Sequence, residues 1–130
     1  MFAGKPAQAI GFATQRQRDV AASLQRRLGE GDALVEYGVQ DDELFACIVD
    51  RGGVTLHRHV ARWSEVLEAL RSARFQIETL RHGALPVAQH LSHLTERARI
   101  RLRRLHALVW QPLAPTLAGR TRVLVVPHAQ

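Results

Sequence analysis

The apolar positions along this chain switch period several times, and each switch marks an element. From Thr14 to Leu28 they fall at Val20, Ala21, Leu24 and Leu28, one face of a helix that Gly29 and Gly31 end. The spacing then shortens to the alternation and short apolar runs of strands. Ala33 to Val39 carries Leu34, Val35 and Tyr37, while Leu44 to Asp50 (LFACIVD) is the most apolar run and belongs in the middle. Val54 to Val60 sets Val54, Leu56, Arg58 and Val60 against Thr55, His57 and His59, so one face is expected mostly dry and the other polar. Asp41-Asp42 supplies an acidic turn and Gly52-Gly53 a tight hairpin, which predicts an antiparallel meander.

Helical spacing then returns. Ser64 is placed as a cap, with Glu65 and Glu68 in the first turn and Arg71, Arg74 and Arg81 further along, as the macrodipole favours. The stripe runs Trp63, Val66, Leu70, Ala73, Ile77, Leu80, and His82-Gly83 closes it. Pro86 suits a helix start, and a longer helix is predicted from there to about Trp110, striped by Val87, Leu91, Leu94, Ala98, Leu102, Leu105 and Val109. Only about five residues join the two, so they are expected to lie antiparallel as a hairpin. Pro112 and Pro115 break regular helix, leaving Leu113 and Leu117 to pack a short turn.

A basic turn, Arg120 to Arg122, leads into Val123, Leu124, Val125 and Val126. A run that is apolar on both faces and rich in β-branched residues suits a strand of a parallel α/β sheet, covered on both sides. Pro127 ends it and delivers His128 to the loop at its carboxyl edge, where open α/β sheets gather their chemistry. Such a strand needs a neighbour on each side. The chain is therefore expected to be the front part of a larger domain, with residues 1–13 as tail or linker and 14–130 as its N-terminal portion.

Composition narrows the picture further. At 130 residues, 46% hydrophobic and 23% charged, the chain is that of one globular domain, neither disordered nor a disulfide scaffold. No apolar run approaches the roughly 20 residues of a membrane span, and the single cysteine makes a reducing cytoplasm the default. The net charge of +6 is carried almost wholly by arginine, Lys5 being the one lysine. That bias fits a GC-rich genome, or a surface for nucleic acid or an acidic partner.

Gly31-Asp32-Ala33-Leu34-Val35-Glu36-Tyr37 resembles the opening "G-x-A-L-V-E-Y" strand of the CHAT domain, a caspase-like (clan CD) family often found behind tetratricopeptide repeats. The order of elements fits from about residue 15 to 128, with Trp110-Gln111-Pro112-Leu113 at the family's "W-x-P-L" and Val126-Pro127-His128 at its "V-P-H". Ala129 stands where the family continues with glycine. The resemblance implies the N-terminal part of a caspase-like α/β domain: helix, three-stranded meander, long helix pair and first strand of the core sheet. It also implies that the family's catalytic histidine and cysteine belong to later strands, so no catalytic residue is expected in this chain.

The residues themselves agree on that point. Cys47 sits mid-strand between Ala46 and Ile48, where desolvation raises a thiol pKa and makes it inert. His128 is a candidate cleft-wall residue, or a structural one that fixes its turn. His57 with His59, and His90 with His93, lack the further ligands of a zinc site and read as solvated, so no metal and no cofactor is expected. His90, His93, Arg97, Arg101 and Arg104 form a basic stripe beside the apolar one, snorkelling into solvent, meeting an acidic partner surface or gripping phosphates. No aromatic interleaves it, and neither phosphate-loop motif occurs.

The function expected is thus the scaffold segment of a bacterial CHAT-type cysteine peptidase or an inactive relative, without activity alone. Its partner is the missing C-terminal half of the domain or another protein. The alternatives are a non-catalytic interaction module, including a homodimer through the last strand's edge, and behind it a basic nucleic-acid-binding domain.

Overall fold

A computed structural model describes residues 15–83 and 91–127. It is mixed α/β. In order come α1 (Gln15–Arg27), β1 (Asp32–Gln40), β2 (Glu43–Asp50), β3 (Gly53–Arg62), α2 (Trp63–Gly83), α3 (Leu91–Val109), a 3₁₀ turn (Gln111–Leu113), α4 (Ala114–Leu117) and β4 (Arg122–Val126). The four strands form one sheet in the order β3-β2-β1-β4. β1, β2 and β3 pair antiparallel as the meander, and β4 returns parallel to β1.

Turn chemistry sets the meander. Asp41 and Asp42, between the paired Gln40 and Glu43, both take positive φ (49° and 61°), the backbone of a two-residue turn matched to strand twist. At the second hairpin, the Asp50 carboxylate accepts the Gly52 and Gly53 N–H groups at 2.8 and 2.9 Å and so closes the turn.

One face of the sheet carries the core. Ala33 and Val35 of β1, Leu44, Ala46 and Ile48 of β2 and Val60 of β3 pack against Val66 and Ala69 of α2, Leu108 of α3, and Leu113 and Leu117. Ile48, Leu113 and Val35 are the largest side chains fully removed from water. The other face is covered less. There α1 contacts β2, Leu28 and Val49 are buried outside the main cluster, and Gln25 donates to the Asp50 carbonyl at 3.2 Å.

Three expectations change. The predicted alternation of β3 breaks at a bulge: Leu44 pairs with Ala61 but Ala46 with His57, and His59 between them has φ 54°. His57 therefore shares the core side of the sheet with Ala46 instead of a polar face with His59. Ser64 does not cap α2 with its own oxygen. The Asp42 carboxylate does so from the β1–β2 turn, accepting the Ser64 N–H at 2.7 Å and its hydroxyl at 2.8 Å. The helical stripes also emerge from the core, since Val20 and Leu24 of α1, Ile77 of α2, and Leu91 and Leu102 of α3 are exposed. The proposed start of the second long helix at Pro86, like tail residues 1–13, lies outside the described residues.

Opposed partners hold the tertiary joints. The Tyr37 hydroxyl donates to the Val109 carbonyl at 2.6 Å, tying β1 to the last turn of α3 and satisfying one of the carbonyls a helix end leaves open. Tyr37→Phe removes that bond with little change of shape. It is expected to lower stability by about 1 kcal/mol, read from urea unfolding, and an unchanged midpoint would contradict the joint.

Candidate functional site

Two places among the described residues are candidates for a functional surface. The first is the rim at the carboxyl ends of β1 and β4. β4 pairs only with β1, from Asp32↔Arg122 to Glu36↔Val126, and its far edge has no strand beside it among the described residues. Leu124, Val125 and Val126 are 40%, 53% and 37% exposed, and alternation sends them to both faces. Beside this edge an open groove of about 1240 Å³ is walled by Tyr37, Trp63, Leu67, Leu70, Val109 and Val125. Glu36, Cys47 and Arg74 add the polar atoms.

The basic turn before β4 fixes how that edge is presented. Arg122 makes a two-pronged pair with Asp32, Nε to Oδ1 at 3.0 Å and Nη2 to Oδ2 at 2.6 Å, while Gly29 N–H donates to the same carboxylate. Arg122 foremost, then the Gly29 N–H, holds the Asp32 carboxyl below the ordinary range. Arg120 reaches Asp50 at 2.5 Å, so it ties the entry of β4 to the β2–β3 turn. These pairs anchor β4 at the end opposite the groove.

Nucleophilic chemistry is not assembled here. Burial pushes the Cys47 thiol pKa up, and Glu36, its cross-strand partner, pushes it further. Cys47 pairs with Leu56, so His57, the next residue on β3, points to the opposite face of the sheet. A backbone sheet separates thiol from imidazole, and the two cannot form a dyad. Cys47 is also only half-buried, because its face of the sheet lacks the helical cover of the other. Among the described residues, no cluster of three His, Cys, Asp or Glu could hold a metal ion.

The histidines divide. His57 Nε2 lies 2.9 Å from the Thr116 hydroxyl of α4, and burial holds its pKa below the ordinary value. His59 faces outward, where its backbone N–H donates to Glu43 at 2.8 Å and Arg58 pairs with the same carboxylate. That N–H, above all, lowers the Glu43 pKa, as the Ser64 hydroxyl does for Asp42. His93 is exposed, and His90 and His128 lie outside the described residues.

These shifts share one sign. For Asp32, Asp42 and Glu43 a lowered folded pKa gives stability that is present above their ordinary values of 3.8 and 4.5 and is lost as pH falls through the folded ones. A depressed His57 gives stability that is present above its ordinary 6.5 and declines as pH drops below it. Urea midpoints are expected to start falling below pH 6.5 and to fall faster under pH 4.5, with the upper limb removed in His57→Gln. A midpoint flat from pH 7 to 5 in the native chain would contradict the His57 contribution.

The second place is the outer side of α3. Arg97, Arg101 and Arg104 are exposed, and among the described residues none has a carboxylate within ion-pair distance. Arg101 and Arg104 face Glu65 and Glu68 of α2 across a cleft of about 220 Å³, which places the start of α2 beside the later turns of α3 and makes the pair antiparallel. Arg99 and Arg103 lean on Glu96 at 3.8 and 3.9 Å. The arginines of the stripe are visible in the sequence as charge, but the groove is not, since it forms where β1, β2, β4, α2 and α3 meet. No helix among the described residues is long and apolar enough to cross a membrane. Compared with known proteins, the chain matches no family model, no curated protein and no solved structure.

Proposed function

We propose that this chain is the scaffold portion of a CHAT-type, caspase-like cysteine peptidase domain of a bacterial cytoplasm, or of an inactive relative, and that it carries no catalytic dyad itself. The observation behind the reading is β4: parallel to β1, anchored by Arg120 and Arg122, apolar toward both faces, and without a strand on its outer edge among the described residues. A strand with that composition belongs inside a parallel sheet, with further strands continuing outward from it. The groove at its carboxyl end is where chemistry collects in such sheets. The test is to express the chain with and without any residues that its gene encodes after Gln130 and to assay peptide cleavage. The extended form is expected to cleave through a cysteine beyond the present sequence, or to bury β4 without cleaving, and to be indifferent to Cys47→Ser. Cleavage by the present chain that Cys47→Ser abolished would overturn the reading.

The same edge supports a second reading, an interaction module that pairs through β4. An unguarded apolar edge strand templates association. On that reading, sedimentation at rising concentration shows dimers, and Leu124→Lys, which sets a charge on the exposed edge strand, raises the dissociation constant about tenfold or more. A chain that is monomeric throughout, or equally associated with Leu124→Lys, would rule it out.

A further inference from the structure

We infer that the outer face of α3 docks an acidic amphipathic helix of a protein partner, independently of what β4 receives. At about 100° per residue, Arg97 and Arg104 lie on one side of a central line and Arg99 and Arg103 on the other. Ile100 and Ala107, seven residues apart, occupy the line between them, and both are exposed, Ile100 by 53%. An apolar pair at heptad spacing flanked by charge on both sides is the surface a helix presents to another helix. Its complement carries apolar residues at the same spacing and carboxylates on the flanks.

The charges narrow the choice of partner. Arg97 and Arg104 beside that line, and Arg101 at the cleft opposite Glu65 and Glu68, are exposed and have no carboxylate within ion-pair distance among the described residues, so they can pair with carboxylates of a partner. Nucleic acid offers anions too, but Glu96 sits within this face and Glu65 and Glu68 border it, where a phosphate backbone would meet repulsion. The centre of the face is also aliphatic, while single-stranded nucleic acid calls for an aromatic platform. A helix can leave the positions opposite these glutamates uncharged, which a phosphate backbone cannot, and its apolar residues meet the aliphatic centre.

The experiment measures fluorescence anisotropy with two labelled probes at about 150 mM salt: a synthetic helical peptide with leucines at heptad spacing flanked by glutamates, and an RNA strand of about 20 nucleotides. The triple variant Arg97→Gln, Arg101→Gln, Arg104→Gln is expected to bind the peptide about tenfold more weakly. Ile100→Ser, which changes no charge, is expected to weaken it about threefold or more. A charge-matched control on α1, Arg18→Gln, Arg26→Gln, Arg27→Gln, is expected to bind as the native chain does. All these positions are exposed, so each variant keeps the fold, which circular dichroism checks. Tighter binding of the RNA than of the peptide, an equal loss in the α1 control, or no effect of Ile100→Ser would each overturn the proposal.

Discussion

Replacing Leu113 by alanine is expected to cost about 3 kcal/mol of folding stability, within the roughly 2–5 kcal/mol seen for core leucines. Leu113 has no exposed surface and sits in the cluster where β2, β3, α2 and α3 meet. Its place in the chain makes the vacated volume hard to fill. Pro112 and Pro115 restrict the backbone on either side, and the Leu113 N–H is already held by the Trp110 carbonyl at 2.8 Å. Collapse of the turn onto the sheet would have to break that arrangement. Urea unfolding checks it, with Leu113→Met, similar in volume, expected to lose less than about 1.5 kcal/mol. A loss below about 1 kcal/mol for the alanine variant would mean that the turn is not seated in the core.

The next largest effect is expected at Gly31, where the strand β4 enters the sheet. The Thr121 and Arg122 N–H groups both donate to the Gly31 carbonyl, at 2.9 and 3.1 Å. So close is the approach that a methyl group on Gly31 would overlap the Thr121 hydroxyl. Gly31→Ala is expected to destabilise the fold by about 1–3 kcal/mol, the usual range for overpacking. Thr121 is exposed, so Thr121→Ala alone should stay within about 0.5 kcal/mol. In the double variant the overlap is gone and most of the loss should return, a coupling that unfolding curves of the four proteins measure. Equal losses in both backgrounds would place the strain elsewhere and loosen the claimed seat of β4.

What was legible in the sequence was whatever local chemistry decides. Asp41-Asp42 accepts positive φ, so the first hairpin could be placed from two residues. Steps of three and four apolar residues located α2 and α3, and four consecutive apolar residues located β4. What escaped depends on partners far along the chain. The bulge in β3 rests on Glu43, sixteen residues before His59, and no pattern within β3 announces it. The cap of α2 is Asp42, twenty-two residues upstream, so a purely local reading chose Ser64. Arg120 and Arg122 were visible as charge, yet their partners Asp50 and Asp32 stand 70 and 90 residues away. These pairs turn a basic loop into the anchor of the exposed strand, and a sequence pattern carries no trace of them.

The β4 edge bears most of the functional reading, and amide hydrogen exchange by NMR reports on it residue by residue. At a dilution where the chain sediments as a monomer, protection should alternate along Arg122 to Val126: amides bonded to β1 slow, those on the far side close to the rate of an open chain. Within β1, the amides from Leu34 to Glu36, which pair with β2 on one side and β4 on the other, should be uniformly slow. Uniform protection along β4 under those conditions would mean that its outer edge is already occupied, and a scaffold awaiting further strands would then be the wrong description.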